Sequence, residues 1–325
     1  MANTLTELPA FFTELLKEHY GEESAERIIH GLSVKRTVSL RINPLKGSSV
    51  KTLEELEGCG FAITPVSWYG DGFLLPDAME SDLEATEAYK DGRIYLQSLS
   101  SMLPPLILDP QPGRDVLDMA AAPGGKTTQI AAITDNKCRI TACELNPIRA
   151  ERLRYNAERQ GASCVYVMQT DSRRLDPIFS FDSVLLDAPC SGSGTLTVGE
   201  KIQGRFSEEL IKKCIASQKA LLARAAELVK VGQEIVYSTC SIIPYENEDI
   251  ISWAIKTLGM ELSPIDMSRF KGVPLLTPRI EGTLLVCPDK NYEGFFAAKL
   301  KKVSEKKHSS QSYCRQGRTR SGKRK

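Results

Sequence analysis

The chain is poor in histidine, with three in 325 residues (His19, His30 and His308), and no two of its nine cysteines form a C-x-x-C pair. Structural zinc sites draw on both residue types at tight spacing, so no metal site is expected. The cysteine count is odd and the spacings (59, 138, 143, 164, 190, 214, 240, 287, 314) are irregular, which argues against a disulfide framework. No apolar run approaches the roughly 18 residues a membrane helix needs. The first 20 residues lack the basic start and apolar centre of a secretory leader. With 42% hydrophobic and 26% charged residues, a folded cytoplasmic protein is expected. Most thiols then read as small buried hydrophobes. A cysteine with chemistry must be picked out by its surroundings.

Net charge is also scarce, at +1, but unevenly spread. Residues 299–325 hold eleven Lys/Arg and one acid, a local +10 that leaves −9 on the rest of the chain. A basic end with few apolar residues reads as a disordered tail from 303 to 325. Such a tail suits contact with nucleic-acid phosphates, the plainer alternative being a solubilising end. The cluster Lys35, Arg36, Arg41 and Lys46 is a second candidate for phosphate contact, against a solvated face.

Two folded regions separate ahead of the tail. Residues 1–95 mix helical patterns (8–19, 24–31, 51–57) with short strands (37–42, 61–66), which predicts a small α+β unit. From 96 to 302 strand and helix alternate. Strands are expected at 115–118, 139–144, 164–170, 181–187 and 234–238, and helices at 126–132, 147–160, 207–230 and 245–258. Asn146-Pro147 suits a helix start, Asn as cap and Pro at the first turn. This alternation predicts an α/β fold with a doubly wound, Rossmann-like parallel sheet. Late strands at 283–287 and 294–300 lie close enough to form an antiparallel edge hairpin. In such sheets ligands bind beyond the carboxyl ends of the strands, at the switch point.

The first strand runs into Asp118-Met-Ala-Ala-Ala-Pro-Gly-Gly-Lys-Thr127. Small residues there let a ligand approach backbone N–H groups at a helix start. Gly125-Lys126-Thr127 fits the end of a phosphate-binding P-loop, but Ala120 stands where its first Gly belongs; G-x-G-x-x-G for dinucleotides is missing too. S-adenosylmethionine carries no phosphate and needs only a shaped turn and an acid for its ribose. Ala120, Ala121, Ala122, Pro123, Gly124, Gly125 and Lys126 are the expected cradle. Glu144 ends the second strand, 19 residues after Gly125, at the reach of a ribose-binding acid. Asp171, after the third strand, is placed to accept from an adenine amino group.

The fourth strand delivers Asp187-Ala-Pro-Cys190-Ser-Gly-Ser-Gly194 and the fifth Tyr237-Ser-Thr-Cys240-Ser241. If these strands pair they lie about 4.8 Å apart, and both thiols and Asp187 converge on one pocket. Flanked by Gly, Pro, Ser and Thr, Cys190 and Cys240 are poorly placed as core fillers. A thiolate that adds to C6 of cytosine turns the unreactive C5 into an enamine carbon able to take a methyl group. Asp187 is the candidate carboxyl to protonate ring N3. An unperturbed thiol is only about 3% thiolate at pH 7, so the pocket must activate one of the two. Spacing alone leaves open which.

These motifs, in this order, resemble the Sun-type RNA (cytosine-5)-methyltransferases over about residues 90–302. The likeness rests on Ala120 to Lys126, Glu144, Thr170-Asp171, Asp187-Ala-Pro-Cys-Ser-Gly192 and Ser238-Thr-Cys-Ser241. Ile94-Tyr-Leu-Gln-Ser-Leu-Ser-Ser-Met-Leu103 and Ser39-Leu-Arg-Ile-Asn43 look like the family's upstream segment and N-terminal RNA-binding unit. The resemblance implies a class I methyltransferase sheet, S-adenosylmethionine as cofactor (held by Ala120 to Lys126, Glu144, Asp171 and Asp187), and tRNA or rRNA as partner. It also implies Cys240 as the residue bonded to C6 and Cys190 as the one that assists release. In the DNA enzymes the Pro-Cys cysteine is the nucleophile, which makes Cys190 the runner-up. Ala120 in place of a Cys, Thr197-Val198 where basic residues are usual, and Leu285-Val-Cys-Pro-Asp289 depart from the family pattern. A monomer without an obligatory protein partner is expected. Rival readings are a P-loop nucleotide hydrolase and an RNA-binding scaffold without catalysis.

Overall fold

The computed structural model describes residues 8–196 and 206–304. Thr197, Val198 and nearly all of the basic tail lie outside the described residues.

The N-terminal part runs α1 (Ala10–Ser33), β1 (Val38–Ile42), α2 (Ser49–Gly58), β2 (Thr64–Val66), β3 (Tyr69–Leu75), α3 (Glu80–Glu84), α4 (Glu87–Lys90) and β4 (Ile94–Leu96). The strands form an antiparallel sheet in the order β2-β3-β1-β4. β3 escapes the sequence pattern because Gly70 and Gly72 interrupt its alternation. α1 is two helical segments that meet at Gly21, matching the two expected. Its Phe12, Leu16, Ile28 and Leu32 are fully buried in one cluster with Val184, Ile235 and Tyr237 from the larger part. At about 1.5–3 kcal/mol per buried side chain, this helix is held by the large sheet's core.

The larger part continues with α5 (Leu99–Leu108), β5 (Asp115–Asp118), α6 (Gly125–Ile133), β6 (Arg139–Glu144), α7 (Pro147–Arg159), β7 (Val165–Gln169), β8 (Phe181–Asp187), α8 (Glu208–Leu228), β9 (Val229–Thr239), α9 (Glu248–Thr257), β10 (Met260–Leu262), β11 (Leu284–Val286) and β12 (Phe295–Lys302). The sheet order is β10-β12-β9-β8-β5-β6-β7, with β5 to β9 parallel. The doubly wound, Rossmann-like class I methyltransferase architecture is therefore present, together with a smaller N-terminal α+β part. Val116, Leu117, Val184, Leu185, Ile235 and Val236 are fully buried. Helices cover both faces of the sheet, which is why these strands read as continuous apolar runs. Asn146 accepts from Arg149 N and Pro147 opens α7, as expected.

The late strands pair antiparallel as expected, with β11 outermost, but β12 itself is not an edge strand. β12 pairs with β11, but it also pairs with β9 on its other side and with β10 further along. Phe295 to Ala298 are buried, so this strand needs both edges covered. The chain order turns back at β5, whose neighbours are β6 and β8. That places the switch-point crevice at the carboxyl ends of β5 and β8.

The basic cluster expected to meet phosphate divides. Lys35 and Lys46 are exposed, whereas Arg41 is fully buried. Its guanidinium donates to Gln97 Oε1 (2.9 Å), Thr128 Oγ1 (2.6 Å) and Gly125 O (3.3 Å), bridging β1 to the start of α6. Arg36 is half-buried and donates to Gly194 O at 3.3 Å, bracing the loop after β8.

Candidate active site

The cofactor-loop, acid and cysteine motifs singled out in the sequence lie at the carboxyl ends of the parallel strands of the large sheet. After β5 the chain turns through Ala120 to Gly124, and Gly124 (φ +111°) caps α6. A left-handed backbone at this point favours glycine. A Cβ there would stand 3.0 Å from Leu153 Cδ1. A cavity of about 450 Å³ opens on one side of the loop, lined by Ala120, Glu144, Asn146, Thr170, Asp171 and Pro189 among others. A second, of about 240 Å³, is lined by Tyr95, Gln97, Ser101, Asp118, Ala120 to Pro123, Gly125, Lys126 and Asp187. Ala120 belongs to both.

Glu144 is buried at 6% exposure and its Oε1 accepts from Asn146 N at 2.8 Å. Asp171 caps a short helical turn and pairs with Arg173, whose Nη2 lies 2.7 Å from Oδ2. The hydrogen bond from Arg173, joined by its charge, holds the Asp171 carboxyl below the usual carboxylate range despite partial burial.

β8 and β9 pair with Asp187 opposite Ser238. Their register brings Cys190 Sγ and Cys240 Sγ to 3.3 Å from each other, both half-buried. Gly194 N donates to Cys240 O at 3.0 Å, closing one cysteine loop on the other. A Cβ on Gly194 would come within 1.9 Å of Gly294 O, so the close approach requires glycine. Lys126 reaches across from α6 and donates from Nζ to Asp187 Oδ2 (2.7 Å) and Ser101 Oγ (2.7 Å). Ser238 Oγ donates to Asp187 Oδ1 at 2.7 Å. Burial alone would lower the Lys126 ammonium, but Asp187, Cys240 and Asp118 outweigh it and leave it raised.

The Cys190 thiol is pushed well above the ordinary thiol range. The causes are its hydrogen bond with Cys240, its burial, and the neighbouring Cys240 and Glu246. The raised thiol favours Cys190 as the protonated partner of the sulfur pair, in which either sulfur is able to donate. Beneath the loop, fully buried Asp118 accepts from Thr127 Oγ1 at 2.6 Å and is pushed up to about 6, chiefly by burial.

Residues 105–301 match the family model of the 16S rRNA methyltransferase RsmB/F, and residues 8–99 match that of the N-terminal domain of 16S rRNA methyltransferase RsmF. The chain belongs to the RsmB/F family. It is 37% identical over 274 residues to the ribosomal RNA small subunit methyltransferase F of Shewanella piezotolerans, covering 82% of this chain and 58% of that protein. It is 34% identical over 311 residues to the 25S rRNA (cytosine-C(5))-methyltransferase nop2 of Schizosaccharomyces pombe, covering 91% and 51%. The chain thus spans little more than half the length of these relatives. Among solved structures, a methyltransferase homolog protein from Pyrococcus horikoshii superposes with a TM-score of 0.79 at 34% identity, covering 91% of this chain and 96% of that one. NSun6 from the same organism gives 0.82 at 24% identity, over 93% and 100%, a likeness of fold.

The Sun-type resemblance read from the motifs is thereby borne out. In this RsmB/F chain Glu144 and Asp171 line the larger cavity, and Ala120 to Pro123, Gly125, Lys126 and Asp187 line the smaller. Gly124 shapes the loop from behind. Cys190 and Cys240 stand beside the cavities rather than in their walls, joined to them through Lys126 and Asp187. Sequence reasoning gave Lys126 no chemical role beyond the cofactor cradle. It also missed Ser101, Gln97 and Asp118. Ser101 and Gln97 lie in the upstream segment that resembled the family, which was the available signal. Among the described residues no cluster of His, Cys, Asp and Glu is fit to hold a metal, and no helix is long and apolar enough to cross a membrane.

Proposed function

We propose that this chain transfers a methyl group from S-adenosylmethionine to C5 of a cytosine in RNA, through a covalent bond between Cys240 Sγ and C6. The observation that carries the reading is the 3.3 Å pair of sulfurs beside the Lys126–Asp187 ion pair, at the tips of adjacent parallel strands. The relatives' names favour ribosomal over transfer RNA. A P-loop hydrolase gives no reason for two convergent thiols, nor does a scaffold without catalysis.

The residues present fit the cofactor. The 450 Å³ cavity carries buried Glu144 on its wall where a ribose diol needs an acceptor, with Asp171 near it and no phosphate-binding lysine, since Lys126 turns toward Asp187. When bound, the cofactor supplies an electrophilic methyl on a sulfonium. The protein's part begins with Cys240, whose sulfur adds to C6. The displaced electron pair moves to N3, which takes a proton from solvent relayed by the Asp187 carboxyl, and Lys126 with Ser238 holds that carboxyl in place. C5 becomes nucleophilic and takes the methyl. A solvent base then takes the C5 proton, the C5–H electron pair re-forms the C5–C6 double bond, and N3 returns its proton; the C6–S bond breaks and Cys240 leaves as a thiolate, which the Cys190 S–H stabilises by donating a hydrogen bond.

We assign RNA contact to the N-terminal unit (1–95) and the basic tail (303–325), and catalysis to 96–302. A target base inside a duplex cannot reach these sulfurs, so the cytosine is flipped or looped out. The cysteines of the described residues are all free, which suits the cytosol. We take the chain to act as a monomer, with no obligatory protein partner.

Cys240→Ala is expected to abolish methyl transfer. Cys190→Ala is expected to accumulate a protein–RNA adduct that survives a denaturing gel, because release loses the hydrogen bond that stabilises the leaving thiolate. Adduct formation by the Cys240 variant, or turnover without adduct by the Cys190 variant, overturns these roles.

A further inference from the structure

Glu246 lies six residues past Cys240 and is fully buried. Its carboxylate accepts hydrogen bonds from Ser191 N (2.8 Å), Ser191 Oγ (2.6 Å), Ser241 Oγ (2.6 Å) and Gln218 Nε2 (3.2 Å). All four donors are neutral, so the charge is solvated by hydrogen bonds and not cancelled by them. Burying an ionised carboxylate on such terms is costly, and an apolar side chain of that size would serve stability at least as well.

The donors are informative. Ser191 follows Cys190 directly, and Ser241 follows Cys240. Gln218, from α8, also donates to Pro189 O at 3.0 Å, just before Cys190. Ser193 Oγ and Ser241 Oγ lie 2.9 Å apart, and Ser193 Oγ accepts from Ile242 N at 3.0 Å, so the two loops are tied a second time. One carboxylate therefore anchors both cysteine loops and the helix behind them.

We propose that Glu246 is the positioning residue that gives the two cysteines different roles: it locks their loops in register, and its charge beside Cys190 makes that sulfur the hydrogen donor and leaves Cys240 to bond carbon. The groups facing Cys190 agree. Cys240 and Glu246 stand on one side, and Tyr237 and Cys214 lie around the same carboxylate, with the Tyr237 hydroxyl donating to Glu246 O at 2.6 Å. Among the described residues Lys126 is the cation that couples to Cys240. Negative charge thus borders one sulfur and positive charge the other.

The inference rests on the covalent reading above, but thiol reactivity tests it without RNA or cofactor. The full chain is treated briefly with iodoacetamide at neutral pH, and alkylation of Cys190 and Cys240 is quantified peptide by peptide. In the wild type Cys240 reacts at least about tenfold faster than Cys190, the span of one pH unit in thiolate population. Glu246→Gln keeps the size and loses the charge, so the preference falls about tenfold towards parity with an unchanged melting curve, and Glu246→Asp restores most of it. A preference that survives Glu246→Gln, or a wild type that shows none, overturns the inference, whatever the outcome of the Cys240→Ala methylation test. Should Glu246→Gln not fold, Ser191→Ala removes one anchor from the Cys190 loop and keeps the charge. A fall of about threefold is then expected, and no fall overturns the proposal equally.

Discussion

Replacing Lys126 by Met removes the cation shared by Asp187, Ser101 and Cys240 while keeping an unbranched apolar stem in the same space. The Nζ to Oδ2 separation is 2.7 Å. At an effective dielectric of about 20 that corresponds to about 6 kcal/mol of gross attraction. Desolvation of both groups offsets much of it, and stripping one partner from a buried pair costs about 3–5 kcal/mol in measured cases. The side chains of Lys126 and Asp187 are 14% and 29% exposed, so the lower end of that range applies. If Asp187 must be held at N3 during addition to C6, a loss of about 3 kcal/mol slows the chemical step by about 100-fold. The assay is single-turnover transfer of labelled methyl to RNA with enzyme and cofactor saturating, so that binding does not enter the rate. Cofactor affinity, read separately by thermal shift, should change much less, because Glu144 and Asp171 are untouched. The raised position of Lys126 adds a sign. A lysine raised in the fold contributes stability below its unfolded value and loses it only as pH climbs past the folded one, so it stays charged across the neutral range. The deficit of the variant should therefore be constant with pH there. A Lys126→Met enzyme within threefold of the wild type, or a deficit confined to cofactor affinity, refutes the assignment.

Two further perturbations separate structural from chemical roles. Asp118 rises from 3.8 to about 6 because it is buried, with Asp187 adding to the shift and Thr127 and Lys126 opposing it. Its unfolded form sheds a proton before its folded form does, so it lowers stability as pH rises from about 4 to 6. The effect is about 3 kcal/mol. Asp118→Asn should gain by that amount relative to the wild type across this window in denaturant titrations, and parallel pH curves would refute it. Arg41→Ala strands Gln97 Oε1, Thr128 Oγ1 and Gly125 O and should cost about 3–5 kcal/mol of stability. Its salt dependence of RNA binding should be unchanged, since a buried guanidinium contacts no phosphate. A slope that falls by about one with stability intact would place Arg41 on the RNA instead.

What could be read from the residues follows from how each strand is used. Strands buried on both faces are written as apolar runs, and polar or small residues then mark where they stop. Glu144, Asp171, Asp187 and Cys240 were located in this way, to within a residue or two of a strand tip. The pairing of β8 with β9 was a conditional statement from sequence, and it became the 3.3 Å contact once the register set Asp187 opposite Ser238. Strands interrupted by glycine, such as β3, were lost. Arg41 was misread because a basic residue in a short strand ordinarily faces solvent, and only the packing of the small sheet against α6 puts it inside.

The least legible part was the difference between Cys190 and Cys240. The two are alike in residue type, exposure and position beyond a strand, and a symmetric pair would share its proton between them. The asymmetry comes from elements remote in sequence. Lys126, 114 residues before Cys240, approaches one sulfur because β5 lies beside β8; Glu246 approaches the other because the chain after Cys240 folds back under the Cys190 loop. In the sequence the first reads as part of a glycine-rich turn, and the second, in Tyr245-Glu-Asn-Glu248, as a solvated helix start. Their charges act only through the low-dielectric interior into which the fold brings them. On the proposed roles, nucleophile and hydrogen-bond donor are distinguished by tertiary electrostatics and not by local motif. A chain with the same two cysteine motifs but without the two flanking charges should alkylate both sulfurs alike.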